Sequence, residues 1–310
     1  MGLATREAFG KKLQELAETN KNIVVLDADL SSSTYSGNAG NTAPERFFNM
    51  GIAEGNMMGV AAGLATSGKT VFAATFAMFA AGRCWEQIRN SVAYPNLDVK
   101  VCGSHGGISV GEDGVSHQAT EDIALMRAIP NMEVYNPCDA VSTTQVIEHI
   151  VQSGKPTYLR LGRSKVDDVY PEGTIFDFTK VHIVRAGNTG IVVFATGLMV
   201  QACIKAAKAL YEEDGIDVTI VDVTCLKPLD EAGIAAVLNS NRIIVTAEDH
   251  SVIGGLGSAV SDVSVKYCPK KIHKIGLQDR FAESGSCDEL LHKYEMDDEY
   301  IRSTIKRLFE

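Results

Sequence analysis

Apolar residues in this chain fall into short uninterrupted blocks, and between the blocks they recur every third or fourth position. Blocks bounded by turn residues fit strands buried on both faces, whereas the longer periodic stretches fit helices packed against a sheet. NIVVLDADL (22–30) is such a block and delivers Asp29 to a strand end. Further strands are expected in KTVFAATF, DVKVCGS, EVYNP and TYLRLG, alternating with helices over 54–67, 79–93, TEDIALMRAI and 139–152. The opening MGLATREAFGKKLQELAETN reads as an amphipathic helix. Such alternation predicts an α/β fold with a mostly parallel sheet covered on both faces.

From residue 164, SKVDDVYPEGTIFDF breaks the rhythm with Pro171 and Gly173, as a linker does. A second set follows: GIVVFATG, a helix over 199–213, DVTIVDVT, a helix over 230–238, RIIVTAED, a glycine-rich GGLGSAVSDV opening a helix, and KIHKIGL. The expected organisation is therefore two doubly wound α/β domains, 1–165 and 190–310, joined by a linker over 166–189. A length of 310 residues agrees, because it exceeds what one hydrophobic core usually organises. In open parallel sheets ligands bind beyond the carboxyl ends of the strands. Chemistry is accordingly sought in the loops after residues 29, 76, 104 and 162.

Composition removes several classes of function. A formal net charge of -10 argues against nucleic acid or an anionic membrane as partner, since both require clustered Lys and Arg. No apolar run approaches the roughly 20 residues that span a bilayer, and the N-terminal segment lacks a secretory apolar core. A cytoplasmic location is the expectation. The seven cysteines are scattered without a C-x-x-C pair, so reduced thiols and no metal site are expected.

Within the remaining class, four segments carry candidate chemistry. Glu54 opens a helix of small and apolar residues, GNMMGVAAGLA, where a carboxylate needs a partner. Read alone, it is either an acid at a helix N-terminus or a catalytic group. TFAMF sets Phe76 and Phe79 three apart at a strand end, a spacing that holds a flat heterocycle or simply fills core. GSHGGISVGEDGVSHQ packs His105, Glu112, Asp113 and His117 among glycines in a loop, where such groups point to binding. Arg6, Arg160 and Arg163 are candidates for a phosphate or for domain packing. GGLGSAV matches neither a P-loop nor a complete G-x-G-x-x-G, so packing is its expected role.

Together, DADL, GIAEGNMMGVAAGLA, TFAMF, SHGGISVGEDGVSHQ and NPCD resemble, in this order and spacing, the C-terminal half of transketolase, and the likeness runs on to ESGSCDELLHKY. The resemblance implies a pyrimidine-binding domain followed by a transketolase C-terminal domain, with thiamine diphosphate as cofactor. It implies that Glu54 hydrogen-bonds N1' of the aminopyrimidine, favouring the tautomer whose 4'-nitrogen takes the thiazolium C2 proton. Phe76 and Phe79 match aromatics stacked on that ring, and Asp29 and Leu30 fall where the family lines the thiazolium. Arg6, Ser33, His105, Asp113 and Arg163 match groups that hold the sugar phosphate, and His117 matches the histidine near the reacting carbon. Two departures stand out. Gly82 occupies the nearest position to a third family aromatic, with Trp85 one turn later, and Gly55 replaces a longer polar residue after the glutamate.

The family's Mg2+ site, a G-D-G motif with a downstream asparagine, has no match. Glu112-Asp113-Gly114 only echoes it, and Asn131 follows too closely. The resemblance thus implies the C-terminal subunit of a split transketolase that moves a two-carbon ketol unit between sugar phosphates. An N-terminal partner subunit would bind Mg2+ and the diphosphate, and this chain would dimerise within an α2β2 assembly. Sister readings are half of a deoxyxylulose-phosphate synthase-like enzyme, the β subunit of a 2-oxoacid dehydrogenase, or a non-catalytic assembly subunit. The two histidines and the second phenylalanine lean towards transketolase.

Overall fold

The computed structural model describes residues 2–310. Its first part runs α1 (Thr5–Thr19), β1 (Ile23–Asp27), α2 (Ser31–Thr34), α3 (Asn38–Thr42), β2 (Phe47–Asn49), α4 (Glu54–Thr66), β3 (Thr70–Phe76) and α5 (Ala77–Gln87). It continues through β4 (Val99–Ser104), α6 (Asp122–Arg127), β5 (Glu133–Tyr135), α7 (Ala140–Ser153) and β6 (Thr157–Arg160). The second part comprises β7 (His182–Arg185), β8 (Ile191–Ala195), α8 (Met199–Asp214), β9 (Thr219–Asp222), β10 (Cys225–Lys227), α9 (Glu231–Ser240) and β11 (Ile243–Ser251). It ends with α10 (Leu256–Tyr267), β12 (Ile272–Leu277), α11 (Cys287–Lys293) and α12 (Asp298–Phe309).

Two sheets result, with strand orders β10-β5-β6-β4-β3-β1-β2 and β12-β11-β8-β9-β7. Every pairing is parallel except the edge pairs β10 with β5 and β7 with β9. Every residue of β1, β3 and β4 is buried, which explains why β1 and β3 read as apolar blocks rather than as alternating apolar and exposed polar positions. Helix limits follow side-chain chemistry. The Asp139 carboxylate accepts from the Ser142 amide to start α7, and Gly154 ends it in the left-handed conformation.

Two strands depart from the expected organisation. His182–Arg185 lies inside the segment read as linker, yet it forms β7 on the edge of the second sheet. Its half-exposed residues gave the sequence no apolar block to recognise. Cys225–Lys227 follows β9 in sequence but pairs with β5 of the first sheet, so the second part contributes a strand to the first.

Buried charge joins the two parts. Arg160, 4% exposed, donates from Nε to Asp122 Oδ2 (2.8 Å) and from Nη2 to the carbonyls of Ala119 (3.1 Å) and Asp249 (2.9 Å). Tyr158 donates to the same Asp122 oxygen (2.7 Å). Burial alone would push the Asp122 carboxyl up, but Arg160, His250 and the hydrogen bonds outweigh it and hold it low. On β11, the Asp249 carboxylate accepts from the amides of Ile108 (2.9 Å) and Ser109 (3.3 Å) in the loop after β4. That approach requires Gly107, at φ +83, because a Cβ there would stand 2.1 Å from Asp249 Oδ2. The Arg160 head is thus a structural clasp, buried and with Nε and Nη2 committed to protein acceptors.

Removing one partner of a buried ion pair strands the other. Arg160→Leu is expected to destabilise the fold by ~3–5 kcal/mol, measured by denaturant unfolding. A loss below ~1 kcal/mol, in the range of an exposed pair, would contradict the clasp.

Candidate active site

The site assembles at the carboxyl ends of β1, β3 and β4, where the topology brings three loops together. After β2 the chain turns through Gly51 at φ +71, with open space around its Cα, so the backbone angle and not crowding selects glycine. Asn49 sets this turn: its Oδ1 accepts from the amides of Gly51 (2.9 Å) and Asp29 (3.1 Å), while Nδ2 donates to Asp29 Oδ1 (3.1 Å). Glu54 then starts α4. Its side chain is buried, and Met57, Met58 and Ala61 below it belong to the core. A carboxylate in that setting costs several kcal/mol unless it is paired. The partner is Arg83, whose Nη1 donates to Glu54 Oε1 at 2.6 Å.

Arg83 stands on α5 one turn after Phe79, and its guanidinium lies 4.0 Å from the Phe79 ring centroid. Phe76, the last residue of β3, stacks against Phe79 with centroids 5.9 Å apart and planes 15° from parallel. Just beyond Arg83 the backbone leaves helical geometry at Cys84 (φ -126, ψ 20). Trp85 is thereby turned aside, its indole N–H donating to the Leu125 carbonyl (3.2 Å). The side chain that covers Phe79 beside Gly82 is Arg83, not the tryptophan.

The loop after β4 supplies both histidines. His105 has φ +61, a left-handed conformation disfavoured for a residue with a Cβ and often found at functional sites. It is 3% exposed and stacks 3.9 Å from Phe76. Arg6 Nη1 lies 3.2 Å from His105 Nε2, and because a guanidinium can only donate, Nε2 is an acceptor and the proton sits on Nδ1, directed at Ser104 Oγ (2.8 Å). Burial, then the charges of Arg6 and Arg163, hold this imidazole neutral, with its pKa lowered to about 3. His117 sets its edge against Phe79 (5.1 Å) and Phe76 (6.0 Å). Its Nδ1 meets Ser116 Oγ (3.0 Å), leaving Nε2 without a hydrogen-bond partner among the described residues.

Arg6 also reaches the carbonyls of Ser33 (2.6 Å) and Arg163 (3.2 Å), so Ser33 contributes its backbone here and not its hydroxyl. Arg163 pairs with Glu112. Asp113 next to it is exposed, and its carboxylate has no hydrogen bond or ion pair among the described residues. Leu30 lines the loop after β1, its amide donating to the buried Asp27 carboxylate (2.6 Å), which Thr34 and Ser36 also satisfy. Contacts therefore run unbroken from Glu54 through Arg83, Phe79, Phe76, His105 and Arg6 to Arg163 and Glu112. Arg83 and Asn49 escaped the sequence reading. Nothing in their neighbourhood marks them, since one is spaced by helix periodicity and the other by a turn. The glycine-rich start of α10 lies elsewhere, where Glu248 accepts from the amides of Leu256 (2.7 Å) and Gly257 (2.8 Å). That helix end already holds an acid of its own.

Comparison with known proteins agrees with this architecture. The model of the transketolase pyrimidine-binding domain matches residues 1–168, and that of the transketolase C-terminal domain matches residues 179–301. A protein of Methanocaldococcus jannaschii named as a transketolase C-terminal section is 47% identical over 308 residues, covering 98% of this chain and 95% of that protein. A 6-deoxy-6-sulfo-D-fructose transketolase subunit of a Clostridium species is 37% identical, covering 93% of this chain and 89% of its own length. A solved split-gene transketolase, described as an inactive β4 tetramer, superposes with a TM-score of 0.91 at 46% identity, covering 99% of this chain and 98% of that one.

The buried neutral His105 has a consequence for acid stability. Its folded pKa of about 3 lies below the ordinary 6.5, so the unfolded chain takes up a proton in that window while the folded chain does not. Its contribution is complete above pH 6.5 and is lost as pH falls towards 3. His105→Asn is expected to lose less stability than the parent between pH 7 and pH 4 in denaturant titrations. Parallel losses in the two proteins would contradict a neutral His105.

Proposed function

The chain belongs to the transketolase family, and from that premise we propose that it is the C-terminal subunit of a two-chain enzyme moving a two-carbon ketol unit from a ketose phosphate to an aldose phosphate. The observation that carries this reading is the Glu54–Arg83–Phe79 arrangement. A flat, nitrogen-rich group lies on an aromatic ring and donates an N–H to a buried carboxylate, as the pyrimidine of thiamine diphosphate would in its N1'-protonated or imino form. The residues present fit that end of the cofactor. The family depends on thiamine diphosphate, which supplies when bound the carbon that accepts and passes on the two-carbon unit.

Each side chain then has a task. Glu54 bonds the pyrimidine ring nitrogen through the carboxylate that Arg83 now holds. Phe76 and Phe79 fix the plane of the ring, and Asp29 and Leu30 line the neighbouring thiazolium side. His117 directs Nε2 at the oxygen of the reacting carbon, to donate or accept a proton there. Neutral His105 would offer Nε2 to a sugar hydroxyl in exchange for its present bond from Arg6. Arg6, oriented by the Ser33 carbonyl, and Arg163 form the rim for the phosphate end, with Arg163 exchanging Glu112 for the stronger dianion and Asp113 accepting from a sugar hydroxyl.

The diphosphate and Mg2+ are assigned to an N-terminal partner subunit. Support comes from the sequence, which has no G-D-G motif, and from apolar side chains beside the site: Ile52, two residues before Glu54, is 76% exposed, and Val115, two before His117, is 48% exposed. Exposed apolar residues at the mouth of a site are what a covering subunit would bury. The assembly would pair two copies of each chain.

The test is ketol transfer from xylulose 5-phosphate by this chain with its N-terminal partner, thiamine diphosphate and Mg2+. Activity is expected only from the mixture, and Glu54→Gln should lower it about 10²- to 10⁴-fold while assembly persists. Full activity from this chain alone would refute the two-chain reading. Turnover with pyruvate but not with ketose phosphate would assign a sister enzyme, and undiminished activity of the variant would remove Glu54 from the mechanism.

A further inference from the structure

Arg83 meets two demands at once. It satisfies the Glu54 carboxylate, and it covers the Phe79 face. Both are surfaces that the reading above assigns to the cofactor's pyrimidine, and one carboxylate oxygen and one ring face cannot serve two flat groups together. We propose that Arg83 is a built-in placeholder for the aminopyrimidine: it pairs Glu54 while the site lacks cofactor and has to swing out for the cofactor to bind. The inference rests on the proposed function and adds to it that cofactor binding is a displacement.

Four observations make the swing feasible. The Arg83 side chain is 48% exposed whereas that of Glu54 is 5% exposed, so the guanidinium has a route to water and the carboxylate does not. Its hydrogen bonding to protein is confined, among the described residues, to the single bond to Glu54. The backbone departs from helical geometry at the next residue, Cys84, so the turn bearing Arg83 is not locked by continuous helix on both sides. The neighbouring Gly82 is exposed, and only the Met78 terminus comes near its missing side chain, so the placeholder has space beside it.

The arrangement gives Glu54 a partner at every stage. Without Arg83, the cofactor-free chain would bury an unpaired carboxylate; with it, the cofactor competes against an internal ligand. A site occupied by its placeholder nine times in ten shows an apparent affinity about tenfold weaker than the open site.

The experiment is calorimetric titration of thiamine diphosphate, with Mg2+, into the complex of this chain with its N-terminal partner. Arg83→Met keeps the aliphatic stem and removes the head, and Arg83→Gln serves as a second variant that retains a donor for Glu54 should the first fail to fold. The proposal predicts about tenfold tighter cofactor binding by Arg83→Met and a smaller gain in the same direction by Arg83→Gln, which clears the Phe79 face but keeps a donor for Glu54. It also predicts a cofactor-free complex that melts at a lower temperature than the parent and gains more from cofactor. Unchanged or weaker binding by the variants, with normal binding by the parent, overturns the placeholder and leaves the proposed function standing. Failure of the parent complex to bind thiamine diphosphate overturns both.

Discussion

A carboxylate that opens a helix of methionine and alanine has to be paired, and the site is arranged around how Glu54 meets that demand. Its helix start offers favourable amide dipoles, but the floor beneath it is core and excludes water. The pairing comes from a side chain that also lies on an aromatic face, and that ring stacks on a second ring, which stacks on a neutral histidine. Each contact fixes the next, from the carboxylate to the arginines at the rim. The result is a polar end and a flat apolar wall, the two features a pyrimidine ring requires.

The wall stays in place because the second part of the chain holds the loop that carries the histidines. None of the assigned site residues comes from beyond Arg163, yet Asp249 on β11 binds two amides of that loop, and Arg160 ties β6 to α6 and β11. Ser251 adds a backbone bond to Thr120 (2.8 Å), and Gln118 reaches the Glu283 carbonyl (2.9 Å). Buried hydrogen bonds of this kind act at short range and fix geometry. The second sheet therefore contributes to the site through position alone.

The fold was readable where burial is uniform. β1, β3 and β8 are apolar through most of their length because both faces are covered, and that pattern survives in sequence. β7 and β10 were hidden, the first because half-exposed edge residues show no block, the second because it crosses to the other sheet. Glu54, Phe76, Phe79, His105 and His117 could be named because unusual residues in small-residue surroundings stand out. Arg83 could not. Its role depends on a helical turn that lifts it over Phe79 and on a carboxylate 29 positions away, a meeting that no local pattern encodes. The tautomer of His105 was likewise out of reach, since the side chain that fixes it belongs to α1, 99 positions earlier.

The most direct test of this account is the structure of the two-chain complex loaded with thiamine diphosphate and Mg2+. The account predicts a Glu54 carboxylate oxygen within about 2.6–3.2 Å of the pyrimidine ring nitrogen, the ring stacked on Phe79, and Arg83 turned to solvent. A loaded complex in which Arg83 still pairs with Glu54 and the pyrimidine lies elsewhere would contradict it.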